Sequence, residues 1–367
     1  MANRGDVLAV VGAQYGSEGK GVIVNHIANQ YEIHVRVGGP NAGHSFYHND
    51  VLYKMQVVPC GWTNKNALLL LGRGMLVDGK HLLHEIEMVE KVDPSILLRL
   101  RVDSRAGVLD DRHRNIEGGV DGEIHKRIGS TGEGVGAARV ARINRDTVAT
   151  SLFRDVADQY VASHGRWSLR DFLVDDTPGM LRERIEEGSN VLLEGTQGSA
   201  LSLIHGPWPY CTSADTNAGQ FSADLGIPPR YINRTLLVAR TFPIRVAGNS
   251  GPLKGELSWE EMSRRLGQSV EERTTVTRKV RRIGEWDDDL FSEAVKLNAP
   301  TSVAVTFADY VDPTLAGETS WHAVQSNQTV SQFLRHVSAQ AGAPIAYVGT
   351  GGPRWSVVEN PHIGGRP

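Results

Sequence analysis

Six short apolar runs limit the folds open to this chain more than any other feature of its sequence: DVLAVVG, EIHVRVGG, NALLLLG, NVLLEG, RTLLVART and TSVAVTFADY. Several of them are continuously apolar instead of alternating, which is typical of strands that are covered on both faces. Amphipathic helix patterns lie between them, for example over residues 79–92 and residues 180–187. Ser258 and Glu261 have the spacing of a capping box ahead of another helix. The sequence therefore predicts an α/β fold in which helices flank a large, mostly parallel central sheet.

The composition argues against several classes of partner. The chain has 367 residues and a formal net charge of −3, so no overall basic field favours binding to nucleic acid. Its longest apolar run, ALLLLG, is too short to span a bilayer, and we expect no membrane partner. Cys60 and Cys211 are its two cysteines and form no CxxC pair, which indicates a reducing compartment and a cytoplasmic location.

The glycine-rich loop after the first apolar run, GAQYGSEGKG, predicts an anion site. Four glycines allow backbone N–H groups to face a ligand: Gly12, Gly16, Gly19 and Gly21. A helix from about Val22 brings its positive end to the loop and Lys20 adds a charge, so phosphate is the obvious anion. The loop does not match GxxxxGK[ST], because Gln14 replaces the first glycine and Gly21 replaces the hydroxyl residue. A tight turn with Lys20 in solvent is the alternative.

Four later stretches have the same glycine-rich character: VGGPNAGHS, RIGSTGEGVGAARVARINR, LLEGTQGSALSLIHGPWPYCTS and YVGTGGPRW. They add an imidazole at His44, hydroxyls at Ser130 and Thr131, and cations at Arg139 and Arg142. Ligands of open α/β sheets bind at the carboxyl ends of the strands. Five such loops together predict one nucleotide site, although His44 taken alone would be an ordinary packing or surface histidine.

Seven segments resemble the motifs of the adenylosuccinate synthetase family, in the same order and over residues 7–355: GSEGKG, GGPNAGH, GSTGEGVG, LEGTQG, HGPWPYCTS, TVTRKVRRIGEWD and GTGGPR. The resemblance implies one catalytic domain over residues 1–367, with a large central sheet and a nucleotide site similar to that of P-loop NTPases. It also implies a homodimer that uses Mg²⁺. The family moves a γ-phosphoryl group to the 6-oxygen of a purine nucleotide, and the amine of aspartate then displaces that phosphate.

The same resemblance implies roles for residues around the phosphate donor. Lys20 and the surrounding amides would hold the β and γ phosphates, His44 would stabilise charge on the 6-oxygen, and the Gly43 carbonyl would contact Mg²⁺. The donor set that it implies is Gly16, Glu18, Gly19, Lys20, Gly21, Gly43, His44, Ser45, Phe307, Asp309, Gly349, Thr350 and Gly351.

Two further sets would bind the purine nucleotide and aspartate. The purine nucleotide set is Ser17, Asn41, Ser130, Thr131, Arg142, Gln197, Thr212 and Val246. The aspartate set is Thr275, Val276, Thr277, Arg278, Lys279 and Arg281. Arg142 is expected to reach across a dimer to the nucleotide phosphate, and Arg281 is expected to pair with the carboxylate of aspartate.

Ser17 is the most informative departure from the family, which has aspartate at this place. That aspartate takes the proton from the ring nitrogen beside the 6-oxo carbon and also contacts the metal. Ser17 therefore stands with His44 as a catalytic candidate and with Gly43 as a metal candidate. A serine hydroxyl is no base at neutral pH, so reaction with IMP should be impaired.

The smaller, neutral side chain of Ser17 also leaves room for an amino group on carbon 2, which guanine has and hypoxanthine lacks. A viral branch of the family bears serine at this place and makes 2-aminoadenylosuccinate from dGMP, as a step toward 2-aminoadenine DNA. We therefore expect dGMP and L-aspartate as substrates, in the cytoplasm of a host if the chain is viral.

Two other departures concern the donor and the sugar. Phe307 replaces the lysine of the family's TKxD segment while Asp309 is kept, so an aromatic ring could stack on any purine and we expect ATP or dATP as donor. Arg278 and Lys279 stand where the family has glycine and arginine. Because lysine lacks the planar fork that reaches the ribose 2′-hydroxyl, a deoxynucleotide would suit this site.

Four alternatives stay open from the sequence. The chain could be an inactive copy, or a conventional synthetase that uses IMP, aspartate and GTP. It could be a kinase-like P-loop NTPase, although no hydroxyl residue follows Lys20. It could also be a noncatalytic nucleotide-binding regulator, which would not form ADP in response to aspartate and purine nucleotide together.

Overall fold

A computed structural model describes residues 4–118, 122–274 and 279–363. Four of the predicted aspartate-binding residues lie outside this part of the chain: Thr275, Val276, Thr277 and Arg278. The strands in the described part are, in chain order, β1 (Val7–Gly12), β2 (Ile33–Arg36), β3 (His44–His48), β4 (Val51–Met55), β5 (Leu68–Leu71), β6 (Leu76–Asp78), β7 (Leu100–Asp103), β8 (Gly107–Leu109), β9 (Leu173–Val174), β10 (Val191–Glu194), β11 (Arg234–Arg240), β12 (Ile244–Arg245), β13 (Glu256–Leu257), β14 (Arg282–Gly284), β15 (Ser302–Thr306), β16 (Ile345–Gly351) and β17 (Ser356–Glu359).

The α-helices in the same part are α1 (Lys20–His26), α2 (Gly79–Glu90), α3 (Ile96–Arg99), α4 (Asp111–Glu117), α5 (Glu123–Ile128), α6 (Val135–Asn144), α7 (Phe153–Val156), α8 (Thr177–Glu186), α9 (Ala218–Leu225), α10 (Trp259–Leu266), α11 (Asp288–Asn298), α12 (Trp321–Ser326) and α13 (Gln328–Ala341). The helices predicted over residues 79–92 and 180–187 are confirmed as α2 and α8. Helix α8 begins before residue 180 because Asp176 accepts a hydrogen bond from the Gly179 N–H and Pro178 occupies the first turn. Ser258 caps α10, as its spacing predicts.

Ten strands form the central sheet, in the order β17-β16-β15-β11-β1-β10-β2-β5-β7-β9. All six predicted strands belong to it, as β1, β2, β5, β10, β11 and β15. Every neighbouring pair is parallel except β16 and β17. The carboxyl ends of the parallel strands therefore meet at one edge, where glycine-rich loops follow β1, β2, β10 and β16, whereas the glycine-rich loop with Ser130 and Thr131 connects α5 to α6. The predicted fold class is confirmed.

Both faces of the sheet are buried, which explains the continuous apolar runs. Leu8 and Val10 of β1 belong to one core together with residues of α1 and α2. Val7, Ala9 and Val11 point the other way and belong to a second core with residues of α8, α9, α11 and α13. Since successive residues of a strand point to opposite faces, a strand between two helical layers must be apolar at every position.

Three smaller sheets complete the described strands. Strands β3 and β4 form an antiparallel hairpin that begins at His44, and β12, β14 and β13 form an antiparallel sheet that includes Arg245. Strands β6 and β8 pair in parallel. Within residues 4–118, 122–274 and 279–363, none of the helices has the length and apolar character that crossing a bilayer requires.

Asp78 anchors the start of α2. Its carboxylate accepts hydrogen bonds from the backbone N–H groups of Lys80 and His81, at 2.9 and 3.1 Å, and it also pairs with the side chains of His81 and Arg114. Burial alone would raise the pKa of Asp78, but the His81 hydrogen bond and the neighbouring cations outweigh it and hold that pKa at about 2. A carboxyl whose pKa is lowered by folding stabilises the protein above its unfolded pKa, and this contribution is lost as the pH falls from about 4 to about 2.

We expect Asp78→Ala to lower the free energy of unfolding by about 2 to 4 kcal/mol at pH 7, because it removes the helix cap and leaves Arg114 without its buried partner. Denaturant unfolding measures this. Asp158→Ala is the control, since Asp158 pairs with Arg170 at the exposed surface and contacts neither Arg114 nor the start of α2. The role of Asp78 is contradicted if both variants have the same free energy of unfolding. It is also contradicted if the difference between their free energies of unfolding does not decrease from pH 4 to pH 2.

Candidate active site

A cavity of about 690 Å³ lies at the carboxyl edge of the central sheet. Most of the residues predicted from the sequence line it together: Gly16, Ser17, Gly19, Lys20, Gly21, Asn41, Gly43, His44, Ser45, Ser130, Thr131, Gln197, Thr212, Val246, Lys279, Arg281, Phe307, Gly349 and Gly351. They come from loops that follow strands of the parallel sheet, from the loop between α5 and α6, and from the segments beside β12 and β14. The structure therefore brings most of the described members of the donor, purine nucleotide and aspartate sets into one cavity.

The loop between β1 and α1 is built around Glu18. This side chain is fully buried, and its carboxylate accepts hydrogen bonds from the backbone N–H groups of Gln14 and Gly16, at 3.0 and 2.8 Å. It also forms an ion pair with the Lys20 ammonium at 2.5 Å. Because the carboxylate is used inside the loop, Glu18 shapes the predicted phosphate site instead of reaching into the cavity.

Ser17 occupies the turn of this loop with its side chain exposed in the cavity. Its φ of 61° lies in the left-handed region, which Asn, Asp and Gly adopt more readily than serine. Its carbonyl accepts a hydrogen bond from Arg240 at 3.3 Å. The surrounding loop thus imposes a conformation that serine itself does not favour, and directs a small neutral side chain toward any ligand in the cavity.

His44 is held by a buried carboxylate at the end of the neighbouring strand. Glu194 and Arg36 are opposite each other in the β10–β2 register, and the Glu194 carboxylate accepts hydrogen bonds from Arg36 Nη1 at 2.8 Å and from His44 Nδ1 at 2.5 Å. Its other oxygen accepts the Cys60 backbone N–H at 2.7 Å. Arg36 and Glu194 are fully buried. With Nδ1 fixed in this way, Nε2 is the ring atom left for a ligand.

Burial sets the protonation states of this cluster. It lowers the pKa of His44 to about 4, and the neighbouring Arg36 cation acts in the same direction. Burial alone would raise the pKa of Glu194, but Arg36 and the His44 hydrogen bond outweigh it and hold that pKa at about 2. In the unliganded protein at neutral pH, the anionic Glu194 therefore accepts from a neutral His44 that carries its proton on Nδ1.

The ligating atoms of His44, Cys60 and Glu194 lie within 4.8 Å of one another, a spacing at which residues can share a metal ion. Arg36 already neutralises Glu194, and burial raises the pKa of the Cys60 thiol well above its ordinary value. A thiol that keeps its proton beside a guanidinium is a poor ligand. We therefore interpret the cluster as a support for His44.

The loops predicted for the purine phosphate and for aspartate are joined by a histidine. His125 Nδ1 is hydrogen bonded to the Ser130 carbonyl, and its Nε2 lies 3.0 Å from the Lys279 ammonium. Lysine is always a donor, so Nε2 must accept and the ring must carry its proton on Nδ1. This pairing occupies Lys279 inside the cavity.

Four described members of the three sets lie outside the cavity lining, and so does Arg139, which lines a smaller pocket with Asn41 and Gln197. Glu18 lies within its loop, as described above. Thr350 is buried and donates a hydrogen bond to the Glu318 carbonyl at 2.7 Å. Asp309 Oδ1 is buried without a hydrogen-bond partner in the described part of the chain, and burial raises the pKa of Asp309 to about 6. Arg142 lines a separate cavity of about 380 Å³ with Arg73 and Arg182.

The sequence analysis missed Arg36 and Arg240, and it gave Glu194 only a turn-stabilising or a catalytic role within its ligand-facing motif. Each of the three is the last residue of a strand of the central sheet, and each is fully buried. A charge inside a strand that is covered on both faces must have a buried partner, because an unpaired charge is too costly to desolvate. The sequence thus contained the signal that these residues are paired, but it did not contain the identity of their partners.

Comparison with known proteins agrees with this geometry. The family model described as adenylosuccinate synthetase matches residues 9–166 and 152–317. Adenylosuccinate synthetase from Methanocaldococcus jannaschii is 36% identical over 345 residues, which cover 93% of each chain. The enzyme from Archaeoglobus fulgidus is 34% identical and covers 93% of this chain and 94% of its own.

The chain belongs to the adenylosuccinate synthetase family.

Two solved structures share the fold. Cyanophage S-2L succinoaminodeoxyadenylate synthetase (PurZ), bound to dGMP and to dATP as an energy donor, superposes with a TM-score of 0.80 at 28% identity, over 98% of this chain and 96% of its own. Fully ligated adenylosuccinate synthetase from Plasmodium falciparum gives a TM-score of 0.81 at 22% identity, over 97% of this chain and its full length, which shows the fold alone.

Membership of the adenylosuccinate synthetase family confirms the resemblance seen in the motifs and makes the chain an aspartate-dependent carbon–nitrogen ligase of purine metabolism that binds nucleotides. It argues against the noncatalytic regulator and the kinase-like NTPase.

Glu194→Gln should lower kcat on the order of a hundredfold, because the neutral amide stabilises the protonated form of His44 less and leaves the Arg36 cation buried without a counter-charge. Steady-state kinetics and thermal unfolding measure the two effects. Glu85→Gln is the control, since Glu85 is also a buried carboxylate and accepts backbone N–H groups of residues 56–58. Equal losses of activity in both variants would show that Glu194 acts only through stability.

Proposed function

We propose that this chain condenses L-aspartate with dGMP at the expense of ATP or dATP. The product is 2-amino-2′-deoxy-N6-succinyladenylate, a precursor of 2-aminoadenine DNA, released with phosphate and the nucleoside diphosphate. The observation that carries the proposal is Ser17, a small neutral residue exposed in the cavity at the place where the family has aspartate.

The Ser17 side chain determines which purine fits. A carboxylate at this position would crowd a substituent on carbon 2, whereas the hydroxyl is shorter and can accept a hydrogen bond from the guanine amino group. PurZ of cyanophage S-2L, which is 28% identical to this chain, was solved with dGMP bound. That neighbour supports a purine with a 2-amino group as the substrate here.

The reaction then follows in two steps. The γ-phosphoryl group passes to the 6-oxygen of the purine and the nucleoside diphosphate leaves, while the N1 proton of the purine passes to water or to a substrate phosphate. Lys20 and the loop amides hold the donor phosphates, and His44, protonated on Nε2 once the anionic substrates are bound, donates a hydrogen bond to the oxygen on which charge develops. The amine of aspartate next attacks carbon 6 and phosphate leaves. A phosphorylated oxygen is a much better leaving group than an oxo group, which is why the donor is consumed first. Arg281 orients aspartate through its carboxylate.

Magnesium fits the oxygen donors available at the phosphate loop. Glu18 cannot serve as a ligand, because its carboxylate is used by Lys20 and two backbone N–H groups. The Gly43 carbonyl and the Ser17 hydroxyl would instead hold Mg²⁺ together with oxygens of the substrates, which is the kind of ligand set this ion accepts. When bound, Mg²⁺ neutralises charge on the transferred phosphoryl group.

Phe307 supports adenine as the donor base. Its ring lines the cavity, where the family reads guanine with lysine and aspartate. Asp309 is kept from the family's guanine-reading pair, but it lies outside the cavity lining and does not by itself favour adenine. The S-2L neighbour was solved with dATP as an energy donor.

The occupation of Lys279 supports a deoxynucleotide. Its ammonium lies 3.0 Å from His125 Nε2, and a lysine held there is less available to a ribose 2′-hydroxyl than the arginine of the family. This contact favours dGMP over GMP.

Assembly and location complete the proposal. We propose that residues 1–367 form one catalytic unit that works as a homodimer in the cytoplasm. Arg142 lies on α6 outside the large cavity, and the same helix exposes Val140 and Ile143. An apolar helix face beside a cation is suited to a subunit contact in which Arg142 serves the neighbouring site.

A conventional synthetase acting on IMP and GTP is the second candidate. Its support is the identity of 36% with archaeal adenylosuccinate synthetases over 93% of the chain. Ser17 and Phe307 argue against it.

Steady-state turnover with dGMP, GMP, dIMP and IMP tests the purine. We expect dGMP to have the highest kcat/KM, and Ser17→Asp to reduce turnover of dGMP by at least about tenfold through crowding of the 2-amino group. Ser17→Ala is the matched control, because it removes the hydroxyl without adding bulk or charge, and it should reduce turnover less. A wild-type preference for IMP, or an unchanged rate with dGMP in Ser17→Asp, would contradict the proposal.

Turnover with ATP, dATP and GTP tests the donor. The wild-type protein should use the adenine nucleotides, and Phe307→Lys should shift the kcat/KM ratio toward GTP by about tenfold, because it restores the family's guanine-reading pair with Asp309. Phe307→Leu keeps an apolar side chain without restoring that pair, so it should weaken all three donors alike. Exclusive use of GTP by the wild-type protein would refute this assignment.

A further inference from the structure

Arg240 is a buried cation close to the site that has no role in the proposed reaction. It ends β11, and its side chain is fully buried in the middle of the central sheet. A guanidinium in such a place needs several partners to offset its desolvation. Those partners belong to three different parts of the site.

The first partner of Arg240 is the aromatic ring of Phe307. The guanidinium carbon of Arg240 lies 3.8 Å from the centre of this ring, and Tyr310 packs edge-on against the same ring at 5.2 Å. One face of Phe307 is therefore covered by a cation. A base that stacks on Phe307 must use the opposite face, and the cation fixes the plane in which that face lies.

The second partner is Glu272, which precedes the loop predicted to close on aspartate. Arg240 donates two hydrogen bonds to its carboxylate, at 2.6 and 3.2 Å, and the Tyr310 hydroxyl donates a third at 3.1 Å. The backbone carbonyl of Glu272 accepts the N–H of Arg281 at 2.9 Å. The fork of Arg240 thus holds the residue that is paired with the predicted carboxylate ligand of aspartate.

The third partner is the Ser17 carbonyl, at 3.3 Å. This contact is a minor support of the β1–α1 loop. Glu18 holds that loop from within, and the Thr306 hydroxyl donates to the Glu18 carbonyl at 2.8 Å. The purine side of the site should therefore depend on Arg240 less than the donor and aspartate sides do.

We propose that Arg240 is a positioning residue that fixes Phe307 as a one-faced platform for the donor base and fixes Glu272 beneath the aspartate-binding Arg281. One buried guanidinium then sets the geometry of two substrate subsites at once. The two functions use different properties of arginine: the planar face stacks on Phe307, and the charged fork binds Glu272. The inference rests on the donor and aspartate subsites of the proposed function, but not on the choice of purine or triphosphate.

The test measures KM for the triphosphate, aspartate and the purine monophosphate in three variants, with whichever nucleotides the wild-type protein turns over. Arg240→Lys keeps the charge beside Glu272 but loses the planar face. We expect its KM for the triphosphate to rise about tenfold while its KM for aspartate stays within about threefold of the wild-type value. A general loss of stability would not raise the KM for the triphosphate while leaving the KM for aspartate nearly unchanged.

Arg240→Gln combined with Glu272→Gln removes both charges, so that no buried charge is left unpaired. We expect this double variant to melt within a few degrees of the wild-type protein and to show KM values about tenfold higher for both the triphosphate and aspartate, with little change for the monophosphate. Arg234→Gln is the control, since Arg234 begins the same strand and pairs with Asp6 near the surface. It should leave all three KM values unchanged.

The inference is overturned if the three KM values rise together, or if the variants lose thermal stability and kcat with all KM values intact. A wild-type protein that prefers IMP or GTP would defeat the proposed function but not this inference, because the variants would then be assayed with IMP and GTP.

Discussion

Charge buried at the carboxyl edge of the sheet is the constraint on which the rest of the site depends. Helices cover both faces of the sheet, so a charged residue at the end of an inner strand has no water to solvate it and must be paired. Glu194 is paired with Arg36 and His44, and Arg240 is paired with Glu272. The sheet holds Glu194 and Arg240 in place. Glu194 in turn orients His44, and Arg240 contacts the ring of Phe307 and the carbonyl of Ser17 beside the cavity.

The buried pairs and the residues that determine substrate choice in our proposal occupy different places in the site. The pairs support the cavity, whereas the described departures from the family motifs line it: Ser17, Lys279 and Phe307. A change of substrate requires only exchanges of this kind, because specificity depends on the size and hydrogen bonding of a few groups. A fold close to that of a conventional synthetase is therefore compatible with a different purine and a different donor.

The sequence predicted the fold well because several of its short apolar runs are continuous, which is typical of strands covered on both faces. All six runs became strands of one sheet, and the glycine-rich loops met at one edge. The sequence did not predict the supports, because Glu194 and His44 are 150 residues apart and their contact depends on strand order. Nor did the sequence predict that the Glu18 carboxylate, in the middle of the phosphate motif, is enclosed by its own loop.

The most direct test is a crystal structure of the protein with dGMP, a nonhydrolysable triphosphate and Mg²⁺. The quantity to measure is the distance between the Ser17 hydroxyl and the exocyclic amino nitrogen of the guanine. The account predicts a hydrogen bond of about 3 Å, with carbon 2 of the purine directed toward Ser17. A purine bound with its 2-amino group directed elsewhere, and with no contact to Ser17, would contradict the claim that this residue selects the substrate.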